Sequence, residues 1–211
     1  MAYFKKDGLD NFPFFVYNYY SFREPIIGYV RKHVPVNGSI LDAGCGTGLT
    51  SILLSSMGYS VLGIDTHDDI VGLAQRNNER LGGSAEFRAI DVFEAGGKLE
   101  RSFDLVYSYG LVEHFPEPQM VKAIRLMGSL GQKVLLVVPT HEDPLVEKQR
   151  TFNFKELSDL CRQANLKPID RFGVGTGIIK WSKLLLPPIV LKRLLGRWVK
   201  CENIGIVCKS P

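Results

Sequence analysis

The chain has 211 residues, 45% hydrophobic and 23% charged, which suits one globular domain with its own core. Its formal charge of +4 is uneven: residues 181–211 carry six lysines and arginines against one glutamate, so the basic character belongs to the C-terminal stretch and speaks against a general nucleic-acid surface. Its four cysteines, Cys45, Cys161, Cys201 and Cys208, form no C-x-x-C pair, which leaves zinc and thioredoxin-like readings unsupported and makes reduced thiols in the cytoplasm the expectation.

Residues 1–35 precede the first strand. The apolar run from Phe12 to Tyr17 is short and holds Pro13, so it does not read as a signal peptide. No run approaches the length of a membrane span. Aromatics crowd residues 12–22, from Phe12 through Tyr17, Tyr19 and Tyr20 to Phe22. They read either as core packing or as a cap over a ligand, with Tyr17 and Tyr20 facing the substrate. Pro25 suits a first helical turn, and Ile26, Ile27 and Val30 then line one helix face.

Ile40 to Ala43 reads as the end of a buried strand. Glycine then recurs at every second position, Gly44, Gly46 and Gly48, and a helical pattern of Leu49, Ile52, Leu53 and Met57 starts at once. A strand, a glycine turn and a helix make a place where backbone can approach a nucleotide-like ligand and free N–H groups face it. The dinucleotide fingerprint G-x-G-x-x-G would put its last glycine at position 49, which is Leu49. Instead Asp42 stands two residues before the first glycine, where a carboxylate suits a cationic ligand group rather than a diphosphate.

The segment Asp42-Ala-Gly-Cys-Gly-Thr-Gly48 resembles motif I of class I S-adenosylmethionine-dependent methyltransferases. The resemblance covers roughly residues 36–175. It implies a three-layer, doubly wound α/β fold, with a seven-stranded, mostly parallel sheet whose last strand alone is antiparallel. It also implies S-adenosylmethionine as cofactor and S-adenosylhomocysteine as product. Asp42, Gly44, Cys45, Gly46 and Gly48 would line the cofactor. An N-terminal cap is frequent in the family, which favours that reading of residues 1–35.

Val61 to Asp65 reads as the second strand, ending in an acid 21 residues after Gly44. An acid at that distance meets a ribose diol, whose two hydroxyls can both donate to one carboxylate. Thr66 is placed in the cofactor site beside it. The diol contact serves NAD equally, so it indicates adenosine without choosing between the two. Asp68 and Asp69 suit the cap of the next helix, which carries Ile70, Val71, Ala74 and Leu81. Ala85 to Ile90 reads as strand three and ends at Asp91-Val92. The resemblance implies that Asp91 accepts the adenine amino group and that the Val92 N–H bonds the ring. The other reading of Asp91 is a turn aspartate.

Phe103 to Ser108 reads as strand four, followed by Tyr109-Gly-Leu-Val-Glu-His-Phe115. By resemblance, Ser108 lies beside the methionine end of the cofactor, and Glu113 and His114 border the acceptor. His114 is the best general base in the chain, because an imidazole titrates near neutrality. Glu113 and His114 serving only to hold the loop is the competing reading. The family's [Asp/Asn/Ser]-Pro-Pro-[Phe/Tyr] motif for exocyclic amines is missing. The metal-binding pattern Glu-x-x-Glu-His has Gly110 in its first place, so no metal is expected.

Met120, Ile124 and Met127 stripe the next helix, and Leu130-Gly131 ends it. Val134 to Val138 is a buried fifth strand, and His141 follows at its carboxyl end as a second candidate for the acceptor site. Asn153 and Glu156 form a capping box, with Leu157, Leu160, Cys161 and Ala164 on one face. Cys161 is therefore a core residue. Ile169–Val174 and Ile204–Cys208 read as strands six and seven. Between them, residues 181–200 hold a basic amphipathic stretch with Trp181 and Trp198 that suits packing on the domain or peripheral contact with an anionic membrane.

The expectation is a single domain over 1–211, with a cap (1–35), a cofactor core (36–140) and a C-terminal part (141–211). Its expected reaction is methyl transfer to an oxygen, nitrogen or carbon of a small or lipid-like acceptor, without nucleic acid. The alternatives are an NAD-dependent oxidoreductase and a cofactor-binding interaction protein without catalysis.

Overall fold

The computed structural model describes residues 23–99, 102–141, 150–175 and 202–211. Tyr17, Tyr20 and the stretch 181–200 lie outside them. Its strands are β1 (Ser39–Ala43), β2 (Ser60–Asp65), β3 (Glu86–Ala89), β4 (Leu105–Tyr109), β5 (Lys133–Pro139), β6 (Lys167–Val174) and β7 (Asn203–Lys209). Its helices are α1 (Glu24–His33), α2 (Leu49–Ser56), α3 (Asp68–Leu81), the short α4 (Ala95–Lys98), α5 (Glu117–Leu130) and α6 (Phe154–Gln163).

Alternation along the strands decides the layers, because successive side chains point to opposite faces. Ile40, Val61, Leu105, Leu135 and Val137 face one way and pack with Ile26, Ile27 and Val30 of α1, Ile52 and Leu54 of α2, and Val71 and Ala74 of α3. Leu41, Leu62, Val106, Leu136 and Val138 face the other way. They meet Ala95 of α4, Met120, Ile124 and Met127 of α5, and Leu157, Leu160 and Cys161 of α6. Both faces being covered explains the near-continuous apolar runs in the central strands.

The sheet order is β3-β2-β1-β4-β5-β7-β6. Five strands pair in parallel, and β7 runs antiparallel to both β5 and β6. The single antiparallel last strand is as expected. The chain winds from β1 outward to β3, then returns to β4 on the other side of β1. That reversal opens a crevice outside the carboxyl ends of β1 and β4, where open α/β sheets bind ligands.

Local rules held unevenly. The Asn153 side chain accepts from the Lys155 and Glu156 N–H groups, and Glu156 returns the bond, so α6 starts in a full capping box. In α2, Ser51, Leu54 and Ser55 are buried, whereas Leu53 and Met57 are only half-buried, since the helix is pressed between the sheet and α3. Asp68 and Asp69 do not cap α3; its N-cap is His67, which makes no side-chain cap bond, and the two acids lie in the first turn facing the positive helix end. Leu81, expected on the apolar face, is 44% exposed. Gly131 ends α5 in extended backbone, not the left-handed form (φ −150°). Glycine is needed there because a Cβ would lie 2.8 Å from Val106 Cγ2 and 3.1 Å from the Phe103 carbonyl.

At the far edge, α1 clamps the β6–β7 hairpin. Phe172 of β6 lies opposite Gly205 of β7, and the Tyr29 ring stacks on the other side of Phe172 at 3.9 Å. Lys32 and His33 reach Asp170, and the Lys133 ammonium donates to the His33 carbonyl at 2.6 Å. A Cβ on Gly205 would lie 2.3 Å from Phe172 Cζ. The ring cannot retreat, because Tyr29 backs it. Gly205→Ala is expected to cost about 2 kcal/mol through overpacking, or a midpoint lower by roughly 4–8 °C for a chain this size. An unchanged melting temperature would mean that the ring has room.

Candidate active site

The crevice is built first by the turn after β1. Gly44, Gly46 and Gly48 all have positive φ (78°, 53° and 80°), a region that other residues enter only with strain. Gly44 and Cys45 donate their N–H groups to the Ile64 carbonyl at 2.9 and 3.0 Å, which binds the turn to the end of β2. A Cβ at Gly48 would lie 2.7 Å from Phe87 and 2.9 Å from Ala74, so the start of α2 is packed as well as bent. Gly63 of β2 leaves room for the same Phe87 ring, 2.6 Å from where its Cβ would sit. Neither of those two contacts has a local sequence signal.

Asp65 closes the turn from β2. Its Oδ2 accepts the Gly46 N–H at 3.2 Å, and its Oδ1 accepts the His67 N–H at 3.3 Å. The His67 Nδ1 lies 3.3 Å from the same oxygen and 3.0 Å from the Thr66 hydroxyl. Thr66 and His67 are exposed, and Asp65 is half-buried at the rim.

Asp42 is different. It is 2% exposed, and its Oδ2 accepts the Ser51 hydroxyl at 2.6 Å. The carboxyl lies at the foot of the glycine turn, on the face toward α2. Burial pushes it up to about 7, the Ser51 hydrogen bond pulls against that, and the Asp65 charge adds to the rise. Tyr107, opposite Asp42 on β4, is fully buried, and its phenol is held well above the usual value by burial and then by the Asp42 charge. Burial, then Asp42 and Asp65, pushes the half-buried Cys45 thiol up, so it is no nucleophile.

Asp91 and Val92 follow β3 next to Asp65, since the Ile90 N–H donates to the Asp65 carbonyl at 2.9 Å. Asp91 Oδ1 accepts the Phe93 N–H at 2.8 Å in a tight turn, and Val92 is buried. Both readings of Asp91 are thus compatible: one oxygen shapes the turn, and the carboxylate has further acceptor capacity.

The segment after β4 forms the opposite wall. Ser108 is buried within β4, and Leu111 lies 3.2–3.4 Å from where a Gly44 Cβ would stand, so the two loops meet across the crevice. A single 3-10 turn spans Val112–His114, with Glu113 buried and His114 exposed. Partial burial lowers the His114 imidazole from its usual value, while the Gly110 carbonyl draws it back up. His141 stands apart: it is exposed at the end of β5 and contacts only the Thr140 hydroxyl among the described residues, at 3.3 Å. No group of three His, Cys, Asp or Glu side chains is placed to hold a metal ion among the described residues. None of the described helices is long and apolar enough to cross a membrane.

The structure therefore gathers the glycine turn, Asp42, Asp65, Asp91 and Val92 at one edge, with Ser108, Glu113 and His114 across from them. Sequence reasoning missed Ser51 and Leu111. Ser51 looks like any polar residue in a helix, and only its distance of nine positions from Asp42 hints at a link.

Parts of the chain are similar to known proteins. Residues 40–130 match the family described as methyltransferase domain. A ubiquinone biosynthesis O-methyltransferase of Pseudomonas fluorescens is 30% identical over 96 residues, covering 45% of this chain and 41% of that protein. The match thus spans about two fifths of the relative's length. A methyltransferase structure from Clostridium acetobutylicum, described as S-adenosylmethionine-dependent, superposes with a TM-score of 0.69 at 12% identity, covering 100% of this chain and 99% of that one. The magnesium protoporphyrin IX methyltransferase of Synechocystis, solved with bound S-adenosylmethionine, gives 0.64 at 15% identity, over 89% of this chain and 77% of that one. The turn geometry, the strand order and these matches agree: over residues 40–130 the chain is similar to the methyltransferase domain family, and its fold is that of these S-adenosylmethionine-dependent methyltransferase structures.

Proposed function

We propose that the protein is an enzyme that transfers a methyl group from S-adenosylmethionine to a small-molecule acceptor. The observation that carries this reading is the pairing of a three-glycine turn with two acids of different character. Asp65 sits at the rim, where a ribose diol would reach its carboxylate, and the exposed His67 ring can swing aside for the second hydroxyl. Asp42 lies buried beneath the turn, where its charge favours a cationic group above it. NAD offers a diphosphate there, which that charge opposes. Bound in this cradle, the cofactor supplies a methyl carbon already activated by its sulfonium.

The chain's own work is then alignment and proton removal. The turn (Gly44, Cys45, Gly46 and Gly48), with Asp65, Thr66, Asp91 and Val92, holds the adenosine half, and Ser108 borders the methionine half. Fixing donor and acceptor in line supplies several kcal/mol of the effect. Glu113, His141 and, outside the described residues, Tyr17 and Tyr20 are assigned to the acceptor side. His114 takes the acceptor's proton. Its lowered pKa keeps the ring neutral at pH 7, and the Gly110 carbonyl occupies one ring N–H, leaving the other nitrogen to accept. An oxygen acceptor is favoured by the relative named for O-methylation. A lipid-like acceptor, with peripheral membrane contact through 181–200, rests on the sequence of that stretch alone.

Thermal unfolding with S-adenosylmethionine, S-adenosylhomocysteine and NAD, each alone, tests the reading. A ligand at about 100 times its dissociation constant adds roughly 2.7 kcal/mol, or about 5–11 °C for a chain this size. Shifts with the two sulfur compounds only are expected. A shift with NAD only would replace the methyltransferase by a dehydrogenase.

A further inference from the structure

We propose that Ser51 is a positioning residue of the cofactor site, holding the Asp42 carboxyl as an anion aimed at the cationic end of the bound cofactor. The inference rests on the proposed cofactor. Ser51 is fully buried in the first turn of α2, and its hydroxyl meets Asp42 Oδ2 at 2.6 Å. Asp42 is itself buried, the penultimate residue of β1 just before the glycines. The two residues therefore tie the strand to the helix directly beneath the bend. Asp42 as a whole is 2% exposed, so what faces the carboxyl from the protein largely decides its charge.

Among the described residues those neighbours are few. From β2 comes Asp65, a second negative charge. From β4 comes Tyr107, a neutral phenol, with Arg23 near that ring from the start of α1. From the turn comes Cys45, a neutral thiol. Ser51 is the donor that α2 supplies. Burial and Asp65 both favour the protonated acid, and Ser51 opposes them; the balance leaves the group titrating at about 7. Without the hydroxyl, the midpoint moves up and the acid is neutral at pH 7. A neutral Asp42 exerts no attraction on a sulfonium or ammonium group. The sign follows: the anion prevails above the midpoint, so cofactor affinity rises with pH, and Ser51→Ala shifts that rise to higher pH.

The experiment is calorimetric titration of the full chain with S-adenosylmethionine from pH 6 to 8.5, for wild type, Ser51→Ala, Asp42→Asn and the double variant. Titration of the cofactor's own amino group, near 7.7–8.0, cancels in ratios between variants. Moving the midpoint up by about one pH unit makes Ser51→Ala roughly 10-fold weaker at pH 6 and nearly equal to wild type at pH 8.5, since each unit is a factor of ten in protonation. In the Asp42→Asn background, removing the hydroxyl should leave no pH-dependent difference. A Ser51→Ala deficit that is constant across pH would reduce Ser51 to packing and overturn the proposal. If Ser51→Ala does not fold, the near-isosteric Ser51→Cys, a weak donor, replaces it: a rise of affinity moved to higher pH supports the proposal, and an unmoved rise overturns it. Absence of binding by the wild type at every pH would instead remove the cofactor assignment itself.

Discussion

Asp65→Ala is expected to weaken S-adenosylmethionine binding by about a hundredfold. A ribose diol would donate two hydrogen bonds to a charged acceptor, each contributing roughly 1.5–3 kcal/mol, and about 2.8 kcal/mol is a factor of a hundred. Asp65→Asn should lose less, because one carbonyl oxygen still accepts. The variant also loses the Gly46 bond to Oδ2, so part of the effect passes through the turn. Melting temperature separates the two contributions: a small drop without ligand, against a large loss of ligand-induced shift. Calorimetry giving unchanged affinity would remove Asp65 from the cofactor site.

His114→Ala has the second large expected effect, and it should divide the kinetic constants. Losing a general base lowers kcat by roughly 10²–10⁴-fold, while cofactor affinity should stay near the wild-type value, since the proposed function assigns His114 to the acceptor and not to the cofactor. The pH dependence has a definite sign. As a base the ring would work in its neutral form, and partial burial favours that form. The acidic limb of wild-type kcat should therefore lie below about 6.5, the ordinary histidine value, and be absent in the variant. Full activity of the variant across pH would show that the acceptor loses its proton without help from this ring.

Much of the fold was legible because its rules are local and repeat. The units of β1 and β2 announce themselves by an apolar strand, a glycine or acid at its end, and a helical apolar pattern, whereas the four-residue α4 after β3 carries no such pattern. The glycines at 44, 46 and 48 stood out because only backbone with positive φ needs three of them so close together. Features created by tertiary approach were not legible. Gly63 and Gly205 are glycines because Phe87 and Phe172 lie across them, and nothing within several residues of either says so. Gly131 followed the helix-ending rule in identity but not in conformation: the neighbouring strand, rather than a left-handed turn, excludes a side chain. In the site, Asp42 and Asp65 were recognisable by position along the chain. Their division of labour came only from burial, which leaves one acid at the rim and seals the other beneath the turn.

The clamp between α1 and the edge hairpin has a consequence for how the chain is made. Ile26, Ile27 and Val30 bury themselves among residues that include Phe172, Val174 and Val207. On a ribosome adding roughly 5–20 residues per second, the partners that close this layer arrive about 10–30 s after the helix itself. The four strands β1 to β4 can pair in the meantime, since their contacts are nearer in sequence. During that interval α1 presents an uncovered apolar stripe to the cell, and contacts this distant along the chain are also slow to form. The first of the described helices is therefore among the last to reach its place, and until the edge hairpin arrives its apolar stripe is open to chaperones.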